Sequence, residues 1–202
     1  MQNNLIYLCG PHGSGKTTLG KQLAKDNPCF VIPELFSRNV KFNTEDAEYR
    51  QILKIGTRAV ENFEYLEFAK NNPGRIVLGN RCIYDVLAYN WIYVMKNWID
   101  KDTYKKYNLF TFCSFKNENS EPLAIIVNPG LNIVKKHLEK RWNEEGKKWR
   151  EEDIHYAELA CQAYERFQNK ENILYLNKEI DLESRSDIKK AYEWITEKFK
   201  AR

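Results

Sequence analysis

The chain has 202 residues, of which 43% are hydrophobic, so it can bury a core and is too apolar for a disordered protein. Its 32 Lys and Arg exceed its 28 Asp and Glu by four, a small excess that gives no support for a nucleic-acid partner. With 9 Gly and 6 Pro a long linker is excluded, and no apolar run approaches the roughly 20 residues of a membrane span. We therefore predict a single domain over residues 1–202, located in the cytoplasm and without a membrane partner.

Five short apolar runs alternate with longer helical patterns. Near-continuous apolar strands separated by helices indicate a parallel sheet covered on both faces, and hence an α/β fold. The predicted strands are Leu5–Cys9, Cys29–Ile32, Arg75–Gly79, Leu123–Val127 and Ile173–Leu176.

Three helical segments are legible from their apolar spacing. The first lies between Thr44 and Asn71, and we expect its apolar stripe to face the core: Ile52, Ile55, Ala59, Phe63 and Leu66. The second, Ile83–Trp98, is mostly apolar; we expect it to be well buried, and it could also serve a homodimer. The last follows Ser186, the predicted N-cap. Residues 100–121 show no clear period.

The five cysteines are scattered and contain no C-x-x-C pair, so neither a disulfide framework nor a zinc site is supported. Three of them, Cys9, Cys29 and Cys161, lie in apolar patterns, and we expect these to be buried, reduced thiols.

The strongest motif runs from Gly10 to Thr17 and fits G-x-x-x-x-G-K-[ST] in full. It follows a predicted strand and opens a predicted helix, Lys16–Asp26, as a phosphate-binding loop requires. Its backbone N–H groups and the helix N-terminus favour phosphate. Lys16 would neutralise the β- and γ-phosphates, and the Thr17 hydroxyl would ligate Mg²⁺. We predict a nucleoside-triphosphate site bound by Gly10, His12, Gly13, Ser14, Gly15, Lys16, Thr17 and Thr18.

The chain resembles the P-loop kinases of small metabolites over almost its whole length, especially deoxynucleoside kinases and thymidylate kinases, with nicotinamide riboside kinase-like proteins as near relatives. This resemblance implies a three-layer P-loop NTPase fold, with a five-stranded parallel sheet in the order 2-3-1-4-5 and helices on both faces. It also implies a basic lid over about residues 141–150, ATP and Mg²⁺ as cofactors, and a nucleoside or nucleoside monophosphate as the acceptor.

One segment that carries the resemblance contains Pro33-Glu34 at the end of the second predicted strand. In these kinases an acid at this place faces the acceptor, which makes Glu34 the candidate general base and a substrate contact. The alternative is that Glu34 caps the following segment or pairs with Arg38.

A second segment is Gly79-Asn80-Arg81, followed by Asp85. By resemblance Arg81 holds phosphate oxygens, a task suited to a bidentate guanidinium. Asn80 stands where the families carry a carboxylate. Either Glu34 or Asp85 supplies the missing charge, or the metal is held differently from the usual pattern.

The third segment is the basic stretch 141–152. The resemblance makes Arg141 and Arg150 catalytic lid residues that neutralise charge on the transferring phosphoryl group, with Lys147 and Lys148 as less specific support. A solvated helix face with ion pairs is the structural alternative.

The helix over 44–71 occupies the place where these families build the acceptor pocket. Residues that could face the acceptor are Tyr49, Arg50, Gln51, Arg58 and Tyr65, and the predicted substrate contacts are Glu34, Arg38, Gln51, Arg58, Arg81 and Asp85. The Pro33-Glu34 context favours a nucleoside, whereas a monophosphate would need further cations such as Arg38, Arg50 and Arg58.

Two other functions compete with the kinase hypothesis. The amide at Asn80 is compatible with a nucleotide-binding regulatory protein that transfers little or no phosphate. A polynucleotide 5′-hydroxyl kinase uses the same chemistry, but it predicts a basic groove that the net charge of +4 does not favour.

Overall fold

Strands and helices alternate along the chain. The computed structural model describes residues 4–39, 44–115, 121–146 and 152–200, without the side chains of residues 38, 39 and 145. The elements in chain order are β1 (Leu5–Cys9), α1 (Lys16–Asp26), β2 (Phe30–Val31), a 3-10 helix (Phe36–Asn39), α2 (Ala47–Asn71), β3 (Ile76–Asn80), α3 (Ile83–Met95), α4 (Lys101–Ser114), β4 (Ala124–Val127), α5 (Leu131–Glu145), α6 (Ile154–Glu165), β5 (Ile173–Leu176) and α7 (Ser186–Lys200).

The five strands form one parallel sheet in the order β2-β3-β1-β4-β5, which confirms the predicted fold class. The register pairs Leu8 with Asn80 and Cys9 with Ile126. The carboxyl ends of β1, β3 and β4 therefore meet at one edge of the sheet, where ligands bind in open α/β folds.

Alternate residues of β1 enter two separate cores. Tyr7 and Cys9 pack under α2, α3, α4 and α6, whereas Leu8 packs with Leu19 of α1 and Ile195 of α7. Helices thus cover both faces of the sheet, and the three layers are those predicted. Across the part of the chain that the structure describes, no helix is both long enough and apolar enough to cross a bilayer.

The predicted core stripe of α2 is only partly right. Ile55 is fully buried, but Ile52 is 39% and Phe63 is 62% exposed. The buried side of the helix instead includes two polar residues, Gln51 and Asn62, whose side chains hydrogen-bond to neighbouring core side chains. Apolar character alone does not reveal this side, because paired amides can be buried at low cost.

The structure also differs from the prediction around α3. This helix ends at Met95, three residues before the predicted end, and α4 follows in the segment without a clear period. Only Tyr107 and Thr111 of α4 are buried, so it lacks an apolar stripe; its N-terminus is capped by Asp100. Within the chain α3 contacts α2, α4 and α6, while Met95 at its end is 48% exposed, so a homodimer through α3 stays a prediction.

Two smaller expectations are wrong. Cys29 is exposed, because β2 begins only at Phe30. Ser186 is the first residue of α7, not its N-cap.

Candidate functional site

The loop between β1 and α1 is built on glycines with positive φ. Gly10, Gly13 and Gly15 have φ of 140°, 75° and 93°. A Cβ on Gly10 would lie 2.2 Å from the carbonyl oxygen of Val127, so no other residue fits there without backbone movement. Glycine-rich loops of this kind can present backbone N–H groups to an anion.

Lys16 is the first residue of α1 and is buried beside this loop. Its Nζ donates to the carbonyl oxygen of Pro11 over 2.7 Å. Burial, followed by the charge of Arg81, lowers the pKa of Lys16 well below its usual value. A bound phosphate would supply the anion that stabilises the ammonium. Thr17 and Thr18 are exposed at the helix N-terminus and line the cavity in front of the loop.

This cavity has a volume of about 780 Å³. It is lined by the loop from His12 to Thr18, by the end of β3, by one side of α5 and by the chain after β5. The structure thus brings the predicted loop residues together with Arg81 and Arg141. Ile180 and Leu182 add an apolar side to the wall.

Arg81 reaches the site from a strained backbone position. Its φ is 72°, a left-handed value that is costly for a residue with a side chain. Its backbone N–H donates to Leu8 in β1 over 3.0 Å, and its Nη1 donates to Oδ1 of Asp85 over 2.9 Å. Asp85 also accepts hydrogen bonds from the Tyr164 hydroxyl and from the backbone N–H of Cys82. In this structure Asp85 therefore positions Arg81, and the pair is buried.

His12 has the environment of a neutral imidazole. Its Nε2 lies 3.4 Å from Nη2 of Arg81. Burial, and then the charges of Arg81, Lys16, Lys54 and Arg141, lower the pKa of His12 well below its usual value. The ring of His12 therefore lies among four basic side chains, those of Arg81, Lys16, Lys54 and Arg141.

His137 is a site residue that the sequence analysis missed. Its Nδ1 lies 2.8 Å from the carbonyl oxygen of Gly13, and its Nε2 lies 2.8 Å from Oε1 of Glu179. Both partners are hydrogen-bond acceptors, so a ring nitrogen that carries a proton can donate to either of them. The hydrogen bond with His137, together with the charge of nearby Lys136, lowers the pKa of Glu179 below its usual value. The bridge ties the loop to α5 and to the chain after β5. Its only sequence signal is that His137 precedes Arg141 by one helical turn.

Amides occupy the strand ends beside the loop. Asn80 lines the cavity, and its backbone N–H donates to the hydroxyl of Tyr65. Tyr65 is thereby held in the core, so the expectation that it faces the acceptor crevice is wrong. The side chain of Asn128, at the end of β4, donates to the carbonyl of Cys161 and to the hydroxyl of Tyr175.

Several predicted site residues either do not line the cavity or lie outside the part of the chain that the structure describes. Glu34 is exposed after β2 and does not line the cavity. The side chain of Arg38, together with Lys147, Lys148 and Arg150, lies outside the described part of the chain. The described part of the predicted lid is the end of α5, which includes Arg141.

The predicted acceptor residues on α2 have different environments. Gln51 is buried, and its Nε2 donates to Oδ1 of Asn90 over 2.7 Å. Arg58 forms an ion pair with Glu61, and Tyr49 is 56% exposed. Arg50 is half-buried like Arg58, and its Nη1 donates to the carbonyl oxygen of Thr44 over 3.0 Å.

Lys54 is a further residue that the sequence analysis did not single out. Its Nζ lies 5.3 Å from the centroid of the Tyr89 ring. Burial, and then the charges of Arg50, Arg81 and Arg58, lower the pKa of Lys54 to about 7. The four-residue spacing from Arg50 through Lys54 to Arg58 was the available signal.

Comparison with known proteins is consistent with this geometry. Residues 5–120, more than half of the chain, match the family model described as AAA domain. Comparison with curated protein sequences gives no significant match.

Three solved structures of deoxyadenosine kinase from M. mycoides share the fold. The structure with bound dATP has a TM-score of 0.69 at 17% identity, covering 94% of this chain and 98% of that one. The structure with bound dCTP has a TM-score of 0.61 at 18% identity, covering 96% and 99%. The structure with the products dCMP and a flexible dCDP has a TM-score of 0.59 at 16% identity, covering 98% and 100%. At this identity the likeness shows the fold.

Proposed function

Because this chain belongs to the AAA domain family and has the fold of the M. mycoides deoxyadenosine kinase, we propose that it is an ATP-dependent phosphotransferase. It transfers the γ-phosphoryl group to a nucleoside or a nucleoside monophosphate. The observation that carries this proposal is the convergence of Lys16, Arg81 and Arg141 on one cavity in front of a phosphate-binding loop.

Catalysis would consist mainly of positioning and charge neutralisation. The loop N–H groups and Lys16 hold the donor phosphates. Arg81, fixed by Asp85, lines the cavity and binds oxygens of the transferring group. Arg141 lies on the side of α5 that lines the same cavity. It neutralises the charge that develops on the transferring phosphoryl group, and Arg150 is proposed to assist it.

The residues present fit Mg²⁺ bound largely through the nucleotide. The Thr17 hydroxyl is exposed in the cavity and offers an oxygen ligand, and Asn80 offers an amide oxygen. Mg²⁺ commonly keeps several waters and takes few protein ligands beside phosphates, so such a donor set is sufficient. When bound, the ion neutralises charge on the β- and γ-phosphates.

Glu34 is proposed to contact the acceptor, either as the base for a hydroxyl group or as a hydrogen-bond partner of a sugar. Its place after β2 supports this role, because the carboxyl ends of parallel strands border the ligand crevice. A Glu34→Gln variant separates the two roles: loss of kcat indicates a base, and an increase in KM alone indicates binding.

The test is acceptor-dependent release of ADP from ATP and Mg²⁺. The acceptors are nucleosides, nucleoside monophosphates, nicotinamide riboside and an oligonucleotide with a 5′-hydroxyl. Lys16→Ala abolishes turnover if the proposal holds, whereas Lys25→Ala, on the exposed last turn of the same helix, leaves it unchanged. Turnover that survives in Lys16→Ala would disprove the proposed site.

A second candidate, a nucleotide-binding regulatory protein, is favoured by the amides at Asn80 and Asn128. It predicts saturable ATP binding without ADP release for any acceptor. Turnover with the oligonucleotide alone, and a steep fall in its binding with salt, would instead identify a polynucleotide kinase. The cytoplasmic location and a homodimer remain predictions.

A further inference from the structure

Two cysteines and an aspartate meet where β1 and β3 end. Cys9 is the last residue of β1, and Cys82 is the N-cap of α3, just after the end of β3. The two strands are adjacent and parallel, and the backbone N–H of Arg81 donates to the carbonyl oxygen of Leu8. The sheet thereby brings together two cysteines that are 73 positions apart in the sequence, a contact that their scattered positions do not reveal.

The ligand atoms of these side chains converge on one point. The Sγ atoms of Cys9 and Cys82 are 3.4 Å apart. Together with a carboxylate oxygen of Asp85 they all lie within 4.8 Å of one another, and all three residues are buried. Bonds of about 2.0–2.3 Å to a single ion separate its ligand atoms by roughly 3–4 Å, so this cluster has the dimensions of a metal-ligand set.

The carboxylate of Asp85 keeps an acceptor position for a cation. Its Oδ1 accepts hydrogen bonds from Arg81 and from the hydroxyl of Tyr164, whereas its Oδ2 accepts from the backbone N–H of Cys82 over 3.0 Å. A carboxylate oxygen has two lone pairs. Oδ2 can therefore bind an ion while Oδ1 still holds Arg81.

The charges of the cluster fit a divalent cation. Two thiolates and the carboxylate of Asp85 carry three negative charges, which a divalent ion and the guanidinium of Arg81 balance. Burial, and then the hydrogen bond with Cys82, raise the pKa of Cys9 well above its usual value, so the ion has to displace a proton there. Exchange of two thiol protons for one divalent ion leaves the net charge unchanged, and no charge is buried without compensation.

We propose that Cys9, Cys82 and Asp85 form a binding site for a thiophilic divalent cation of the Zn²⁺ class. Thiolates select Zn²⁺, whereas Mg²⁺ takes oxygen ligands, so this site is separate from the magnesium position proposed at Thr17. Tetrahedral Zn–S bonds of about 2.3 Å separate two sulfurs by about 3.8 Å, so the Sγ atoms move apart by only about 0.4 Å. The ion ties the end of β1, immediately before the phosphate loop, to the start of α3.

The first experiment titrates the chelator-treated protein with Co²⁺ and then adds Zn²⁺. Thiolate ligands of Co²⁺ give a charge-transfer band in the near ultraviolet, which oxygen and nitrogen ligands alone do not give. We expect one Co²⁺ per chain and loss of the band when one equivalent of Zn²⁺ displaces it.

The variant for this titration is Cys82→Ser. Serine is a preferred N-cap residue, so the substitution keeps the start of α3 and removes one thiolate. It lowers the affinity for Co²⁺ by at least about 100-fold, the upper range for losing a mere outer-shell partner of a metal site. The controls are Cys161→Ser, a buried cysteine in another apolar cluster, and Cys29→Ser, an exposed one. Both bind Co²⁺ as the wild type does.

The second experiment measures thermal unfolding with the metal alone. Zn²⁺ at 100 times its Kd raises the Tm of the wild type by about 5–10 °C, because it binds the folded chain. Mg²⁺ at the same concentration gives no such increase, and neither ion changes the Tm of Cys82→Ser. Neither experiment depends on kinase activity.

The outcomes decide between this site and adventitious binding. A band that is lost in Cys82→Ser and kept in both controls supports the proposal. The proposal is overturned by the absence of a band in the wild type, by a band that survives in Cys82→Ser, or by one that disappears in Cys29→Ser, since Co²⁺ then binds an exposed thiol. If Cys82→Ser does not fold, as judged by circular dichroism, Cys9→Ser takes its place with the same expected loss.

Discussion

Replacing Asp85 by Asn tests whether the buried ion pair holds the catalytic arginine. The side chains of Arg81 and Asp85 are 8% and 2% exposed, and the Nη1–Oδ1 distance is 2.9 Å. Asparagine preserves the shape but leaves the guanidinium charge without its buried partner. Removing one member of a buried pair typically costs about 3–5 kcal/mol. For a chain of this size that corresponds to a fall in Tm of about 6–20 °C.

Thermal unfolding with and without ATP measures this effect. The matched control is Asp102→Asn, which removes an ion pair with Lys105 whose side chains are 79% and 76% exposed. The control leaves Tm unchanged, because solvent screens exposed pairs. ATP raises Tm more in Asp85→Asn than in the wild type, since its phosphates replace the missing negative charge beside Arg81.

Two results would refute this reasoning. A Tm of Asp85→Asn within about 1 °C of the wild type means that Arg81 does not depend on Asp85 for compensation. An increase in Tm with ATP that is equal in both proteins means that the phosphates do not reach Arg81. If the variant fails to fold, Tyr164→Phe removes one hydrogen bond to the same carboxylate and costs only about 1 kcal/mol.

Other predictions follow from the same geometry. Gly10→Ala abolishes ATP binding in an isothermal titration, because its Cβ would lie 2.2 Å from the Val127 carbonyl oxygen; a Kd near the wild-type value contradicts the loop conformation. His137→Asn raises the Kd for ATP about tenfold by releasing the loop, and an unchanged Kd shows that the bridge is dispensable. Two thiols, those of Cys29 and Cys113, react quickly with a thiol-specific chromophore under native conditions. The three buried thiols react only after denaturation, and more than two fast thiols contradicts the core packing.

The parts of the fold that could be predicted are those whose conformation is determined by residues close together in the sequence. The phosphate loop is encoded by glycines that must adopt positive φ and by the lysine that begins α1. The strands are continuous apolar runs because both faces of the sheet are covered. Helix α4 escaped prediction because it buries only Tyr107 and Thr111, and its side chains are otherwise half-buried or exposed.

The residues that face the acceptor were harder to predict, because their orientation depends on contacts between residues that are far apart in the sequence. Gln51 is a predicted substrate contact, but its amide is hydrogen-bonded inside the core to Asn90, a residue 39 positions away. Tyr65 is predicted to face the acceptor, but its hydroxyl accepts a hydrogen bond from the backbone N–H of Asn80 at the end of β3. The spacing of polar residues on a helix does not tell which of them find partners on a neighbouring helix.

The amide of Asn80 and the basic side chains near the cavity together determine the charge of the site. The kinase families that this sequence resembles carry an acid at the end of the third strand, where this chain has Asn80. The nearby acid, Asp85, is hydrogen-bonded to Arg81. Lys16, Lys54 and His12 each have a pKa lowered first by burial and then by neighbouring cations. A carboxylate at position 80 would favour the charged forms of these groups and so raise their pKa values. In its absence, a phosphate bound in front of the loop favours the charged form of Lys16 for the same electrostatic reason.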